Sequence, residues 1–225
     1  MKYIVISLFI SGVLLASTLE KKPTQYRADV IPKKMSIKQK KERFFALLVP
    51  AVNKVHNKLL SDYQRVLEDA KLSKETPYIK ELKKLYRVES VEELLVALKP
   101  HPKSITLAQA AMESAWGTSR FFTEANNVFG VWSVNKDEPR IAASEKRGGT
   151  KTIWLRKFDT IEESVEKYYK LLATSRAYRE FRDLRYSSDD VFALVKKLDR
   201  YSEMREKYGE ELAKVIRYNK LTKYD

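Results

Sequence analysis

The sequence predicts a predominantly helical α+β protein in which one small β-hairpin interrupts a succession of helices. Two observations carry this. Apolar residues recur at helical spacing along most of the 225-residue chain, with charged residues (33% of the total) interspersed between them as solvated helix faces. Midway along the chain, Gly148-Gly149 separates two short β-prone runs, Ile141-Ala142-Ala143 and Ile153-Trp154-Leu155. There is no internal repeat and no low-complexity tract.

The elements follow in order. Met1-Lys2 precedes an apolar run from Tyr3 to Ala16, broken only by Ser7, Ser11 and Gly12, and backed by the small residues Ser17 and Thr18. Residues 1–19 therefore read as a secretory signal, either cleaved or kept as an anchor; the run is short of the roughly 17–25 residues of a membrane span. Residues 20–35 mix Lys, Pro, Thr and Asp without periodicity and read as a linker. Ser36 caps a helix carrying Phe44, Phe45, Leu47 and Leu48 that is expected to end at Pro50. A long amphipathic segment follows, with Val52, Val55, Leu59, Tyr63 and Val66 on its apolar side. A further helix is expected over Pro77–Tyr86, and Ser90 with Glu93 forms a capping box that opens another, through Leu98. Residues 36–100 thus form an N-terminal helical extension, expected to pack on a domain made by residues 101–225.

From Ser104 the character changes. Ile105, Leu107, Ala108, Ala110, Ala111, Met112 and Ala115 make a helix apolar nearly all round, which must be buried, with Gly117 as its natural end. Beyond the hairpin, helices resume from Thr160 to Leu172, Tyr178 to Leu184, Asp190 to Leu198 and Glu210 to Asn219.

A net charge of +14 attracts polyanions of any kind. No zinc-finger spacing, aromatic RNA-binding run or other nucleic-acid module accompanies it, and the N-terminal segment places the chain outside the cytoplasm, so a nucleic-acid partner is not expected. With no cysteine there is no disulfide framework, thiolate metal site or thiol nucleophile. His56 and His101 lack metal-ligand spacing, and Ser114 lacks the setting of a nucleophile; no metal or cofactor is expected. Tyr168, Tyr169 and Tyr178 read as core, and Lys38 to Arg43 as a solvated basic face.

One carboxylate sits in the apolar helix. Burial disfavours the charged form of Glu113, and a carboxylic acid that stays protonated near neutral pH can donate to a glycosidic oxygen. On pattern alone this reading stands level with that of an ordinary surface glutamate. Trp116, three residues on, is expected on the same side of the helix, shielding the carboxyl and stacking on a sugar ring. Asn126-Asn127, before Val128-Phe129-Gly130 and Trp132, suits a tight turn packed on aromatics; their amides also suit the hydroxyl and acetamido groups of a sugar.

Ala108-Gln109-Ala110-Ala111-Met112-Glu113-Ser114-Ala115-Trp116-Gly117, followed by Ala125-Asn126-Asn127-Val128-Phe129-Gly130, resembles the signature of glycoside hydrolase family 73, the bacterial N-acetylglucosaminidases of peptidoglycan. The likeness continues into Leu198-Asp199-Arg200-Tyr201-Ser202, and the region around Phe44-Phe45 resembles the Bax-type branch. The resemblance implies a lysozyme-like glucosaminidase domain acting on peptidoglycan glycan strands as an exported, periplasmic or envelope-associated monomer, with an anionic wall or membrane surface as further partner. It implies Glu113 as general acid and Glu145 as the second carboxylate, with Asp137 and Glu138 as competitors. It also implies Tyr201 as the tyrosine lining the site, with Tyr208 as the alternative. Trp116, Asn126, Asn127, Phe129, Trp132 and Tyr208 are then the expected substrate-binding residues. Arg200-Tyr201 stands where the family commonly has Gly-Tyr. Inversion, a carboxylate nucleophile and assistance by the substrate's own acetamide all remain open. So do two rivals: a lytic transglycosylase and a non-catalytic wall-binding protein.

Overall fold

A computed structural model describes residues 25–73, 75–147 and 151–225. The expected signal segment, residues 1–19, lies outside the described residues, as does the turn expected at Gly148-Gly149.

Helix α1, Ile37–Lys71, opens with a capping box in which the Ser36 hydroxyl accepts from Gln39 N while the Gln39 side chain accepts from Ser36 N. It runs straight through Pro50 for 35 residues, where the sequence predicted a break. Proline leaves the carbonyl of residue 46 without its helical partner. Ala46 and Pro50 are both exposed, so water reaches that carbonyl. Phe44, Leu48, Ala51, Val52 and Val55 on the opposite side are buried and hold the helix in place.

Helix α2, Pro77–Tyr86, is capped by Thr76, and α3, Val91–Leu98, by the Ser90–Glu93 capping box. Helix α4, Lys103–Glu113, is buried from Ser104 to Ala111 and ends at Glu113, four residues before Gly117. A short helix that the sequence reading did not anticipate, α5 at Arg120–Ala125, follows. Strands β1, Arg140–Arg147, and β2, Lys151–Arg156, pair antiparallel with Ile141 opposite Leu155 and Ala142 opposite Trp154; the register shifts before Lys146 meets Thr152. Then come α6, Ile161–Thr174, a 3-10 turn at Arg176–Tyr178, and α7, Arg179–Ser187. The predicted helix to Leu198 divides into α8, Val191–Val195, and a 3-10 segment, Lys196–Tyr201. Helix α9 spans Glu206–Asn219, and a 3-10 turn at Leu221–Tyr224 closes the chain.

The larger core cluster joins the first half of α1 to α4, α6, α8 and α9, through residues such as Phe44, Val52, Ala108, Val165, Leu194 and Ile216. The smaller one gathers Val66 of α1, Ile79 and Leu82 of α2, and Leu94 and Leu98 of α3. Helix α4 runs through the larger cluster and brings its C-terminal residue, Glu113, out to the surface. Among the described residues no helix is long and apolar enough to cross a membrane.

Candidate active site

The chain turns sharply after Glu113. Ala115, Trp116 and Gly117 adopt φ values of 51°, 61° and 71°, a left-handed run that costs about 1 kcal/mol or more at each non-glycine residue. Several bonds hold it. Trp116 N donates to Ala111 O (2.8 Å), Gly117 N to Ser114 Oγ (2.8 Å), and Thr118 N and Ser119 N both to Ser114 O (3.0 Å). The buried Arg43 guanidinium of α1 braces the run from outside: Nη1 donates to Gly117 O (2.7 Å) and Nη2 to Arg27 O and Ala28 O (2.8 Å each). Arg43 is therefore no part of a solvated face, as the sequence reading had it. It is a clamp between the segment before α1 and the turn after Glu113, and four carbonyls in fixed positions, those of Arg27, Ala28, Val30 and Gly117, are what a planar guanidinium suits.

This turn also corrects the expectation for Trp116. With α4 ended at Glu113, no helical three-residue relation holds between them. The indole instead packs edge-on against Phe44 (5.2 Å between centroids) and Phe45 (6.0 Å), with Lys41 Nζ 4.9 Å above it.

Glu113 itself is exposed as a residue, yet protein crowds its carboxyl. Loss of hydration raises its pKa above the ordinary value, partly offset by a hydrogen bond from Tyr208, whose hydroxyl donates to Glu113 Oε1 at 2.7 Å. Three tyrosines cluster here. The rings of Tyr201 and Tyr208 stack at 5.6 Å and 8°, and Tyr178 lies 6.1 Å from Tyr201. Burial, with the neighbouring Glu113 charge, raises all three phenols, Tyr178 to about 12. The carboxyl thus faces neutral hydroxyls. Tyr208, the alternative in the sequence reading, is the tyrosine that touches Glu113; the Tyr201 hydroxyl donates to Phe129 O at 3.3 Å.

Helix α9 brings Tyr208 into place by a close approach. At Gly209 a Cβ would fall 2.7 Å from Val195 O, so only glycine lets α9 pass this near α8 and the 3-10 segment that carries Tyr201.

The paired asparagines serve the protein itself. Asn126 is the left-handed cap of α5 (φ 48°), and its Nδ2 donates to Phe158 O (3.1 Å) and Asp159 O (3.0 Å). Asn127 is buried; its Nδ2 donates to Val131 O (2.9 Å) and Arg156 O (2.8 Å), and its Oδ1 accepts from Val131 N (2.9 Å). Of the two readings weighed for this pair, the turn is the one the geometry supports: these amides fasten the loop to the end of the hairpin. Phe129 is likewise buried, stacked on Tyr168 at 4.1 Å. Trp132 is exposed and bridges to Leu155 of β2. Arg120 of α5 donates to Ala142 O of β1, joining the hairpin to the helix that follows the Glu113 turn.

Among the candidate second carboxylates, Glu138 pairs with Arg156 at 3.4 Å, and Asn135 Oδ1 accepts from Asp137 N at 3.0 Å. The backbone of Glu145 lies in β1, and its side chain is outside the described residues.

Three residues behind the site were given no role in it by sequence reasoning: Gln109, Tyr168, which was read as core, and His101, all buried and hydrogen-bonded in series behind Tyr208. Gln109 carried a usable signal, since a polar side chain in a helix apolar on every side must find partners indoors.

Residues 88–221, more than half the chain, match the glucosaminidase family, described as mannosyl-glycoprotein endo-beta-N-acetylglucosaminidase. Protein bax of Escherichia coli K12 is 32% identical over 117 residues, covering 49% of this chain and 40% of that protein. Exo-glucosaminidase LytG of Bacillus subtilis is 35% identical over 81 residues, covering 34% of this chain and 29% of that protein. The match therefore spans less than half the length of either relative. Among solved structures, the catalytic domain of the Listeria monocytogenes autolysin Auto aligns at 20% identity with a TM-score of 0.47, over 86% of this chain and all of that one. A peptidoglycan hydrolase from Sphingomonas sp. A1 aligns at 23% identity with a TM-score of 0.46, over 59% of this chain and 84% of that one. The chain belongs to the glucosaminidase family.

Proposed function

We propose that the protein is an exported endo-β-N-acetylglucosaminidase that cleaves the β-1,4 bond after N-acetylglucosamine in peptidoglycan, with Glu113 as general acid. One observation carries the proposal: a carboxyl at the end of a buried helix, dehydrated and bonded to a neutral phenol rather than to a cation. Such a group holds its proton to higher pH than an ordinary carboxyl and can pass it to the glycosidic oxygen as the C–O bond breaks. The oxygen leaves as a hydroxyl, and the sugar carbon acquires oxocarbenium character. Glu145, or the substrate's own acetamide, then meets that charge, and water completes the hydrolysis.

The likeness to Protein bax, together with the long helix that precedes the family-matched region, supports placement in a Bax-type branch. The apolar run at Tyr3–Ala16 supports export to the periplasm or envelope, and the +14 net charge suits an anionic wall. Trp132, which bridges to β2 and has an exposed side, is the residue proposed to stack on a sugar ring.

Incubating purified protein with peptidoglycan and analysing the products by mass tests this. Water-added fragments ending in reducing N-acetylglucosamine are expected, with long chains shortened before free monosaccharide accumulates. Glu113→Gln should lower the rate by at least about 100-fold, the scale of general acid catalysis. Products bearing only anhydromuramyl ends would make it a lytic transglycosylase instead, and an unchanged rate in Glu113→Gln would remove Glu113 as the acid.

A further inference from the structure

A chain of buried polar groups runs from Glu113 back into the core. Tyr208 OH donates to Glu113 Oε1 (2.7 Å), and Gln109 Nε2 donates to Tyr208 OH (3.0 Å). Tyr168 OH donates to Gln109 Oε1 (2.6 Å). His101 Nε2 lies 3.1 Å from Tyr168 OH and 2.9 Å from Thr106 Oγ1, and Thr106 Oγ1 donates to Tyr169 OH (2.9 Å). His101, Thr106, Gln109, Tyr168 and Tyr208 are all buried. Thr106, Gln109 and Glu113 fall on one face of α4, seven residues apart from first to last, as two helical turns require.

The direction of each bond follows from proton counting. A phenol or an alcohol has one hydrogen to give. Tyr168 gives its hydrogen to Gln109 and Thr106 gives its own to Tyr169, so the hydrogen between them and His101 belongs to Nε2. His101 Nδ1 is then a bare lone pair, in keeping with its having no partner among the described residues; a buried N–H left there would be the costlier orphan. Burial, with Arg185 and His56 nearby, holds His101 well below the usual histidine pKa, so the ring stays neutral and the polarity of the chain does not reverse near neutral pH.

The far end has a chemical consequence. Because Tyr208 accepts from Gln109, its own hydrogen must go to Glu113 Oε1. An oxygen that already accepts a hydrogen bond from a donor with no second hydrogen acts as the carbonyl oxygen of the acid. The transferable proton then sits on Oε2. With the Gln109 amide swapped or absent, Tyr208 becomes able to accept, and Glu113 can turn its proton inward, toward Tyr208 and away from substrate.

We propose that Gln109, oriented by Tyr168 and His101, is a positioning residue that makes Tyr208 an obligate donor and so confines the Glu113 proton to Oε2. This rests on Glu113 being the acid. Among the described residues, the titratable groups that face Glu113 are Tyr208 from α9, Tyr201 from the Lys196–Tyr201 segment and Tyr178 from the turn before α7, all neutral phenols.

The test is the pH dependence of kcat and KM on soluble glycan strands for wild type, Gln109→Met, Tyr208→Phe and their double variant. Gln109→Met should lower kcat roughly tenfold, a part of the usual contribution of an acid catalyst, and leave KM unchanged. It should also move the alkaline limb of the kcat profile to higher pH, because the protonated carboxyl then gains Tyr208 as an acceptor and holds its proton more tightly. Tyr208→Phe should show the same displacement, and adding Gln109→Met to it should cost nothing further, since both act through one hydrogen bond. Where Gln109→Met does not fold, Tyr168→Phe, which removes a single oxygen, is expected to give the same displaced limb. A lowered kcat with an unmoved limb, or losses that multiply in the double variant, would overturn the proposal. Glu113→Gln is measured alongside. If it is inactive while the limb stays put, only the positioning role fails; if it keeps wild-type activity, the assignment of the acid fails with it.

Discussion

Desolvation at Glu113 works against the fold at neutral pH. The folded carboxyl binds its proton more tightly than the unfolded one, so the folded state gains protons over the unfolded between the two pKa values. The Glu113 contribution to stability is therefore full below the ordinary carboxylate range, and it declines as pH rises through the raised folded pKa. Glu113→Gln keeps the shape and can still accept from Tyr208, but it carries no charge to dehydrate. It should raise the neutral-pH stability by at most about 1 kcal/mol, since solvent contact screens part of the effect. The gain should vanish in melts run near pH 3, below both pKa values; a gain that persisted there would trace to packing rather than charge. At this scale the raised pKa of Glu113 was legible, because its sequence neighbours are apolar and burial follows from them. Asn127 was not, because only the fold decides that its amide meets Val131 and Arg156 rather than a sugar. The choice between Tyr201 and Tyr208 was also beyond the sequence, since it depends on where α9 crosses the 3-10 segment.

Helix starts could be read where the signal is local. Ser36, Ser90, Thr76 and Thr160 cap the helices expected at those points, with the bonds their side chains suggest. Helix ends and interruptions depend on remote contacts. Pro50 breaks nothing because its lost bond faces water, and α4 stops before Gly117 because Ser114 and Arg43 hold a left-handed turn that Ala115 and Trp116 would not choose alone. The crossing at Gly209 is another remote contact, one that brings the Tyr201 and Tyr208 rings together. Gly209→Ala puts a methyl 2.7 Å from Val195 O, a backbone atom that cannot swing aside. Helix α9 must then shift, at a cost of about 1–3 kcal/mol, typical of overpacking. The shift moves Tyr208 away from Glu113, so activity should fall further than the folded fraction does. Activity that merely followed the folded fraction would show that α9 adjusts without carrying Tyr208 with it.

Across the whole molecule, the long first helix and the domain that matches the family share one core, and two histidines lie within it. His56 of α1 and His101, just before α4, flank the Tyr169 ring, at 6.4 Å and 4.5 Å. Nδ1 of each is buried without a partner among the described residues. Burial first, and the nearby Lys103 second, lower the His56 pKa to about 4, and His101 lies well below its usual value. Both are folded in the neutral form, so the unfolded state binds more protons below pH about 6.5. Their contribution is full above that pH and is lost as pH falls toward the folded pKa, the opposite sign to Glu113. Urea unfolding should therefore show stability declining from about pH 6.5 to about pH 4, with His56 supplying roughly 2 kcal/mol after allowance for its partial exposure. His56→Phe should lower stability at neutral pH, or leave it unchanged, yet flatten the slope through this interval, because an uncharged ring has no proton to gain on unfolding. An unaltered slope would mean that His56 titrates alike in both states, and that acid sensitivity arises elsewhere in the core.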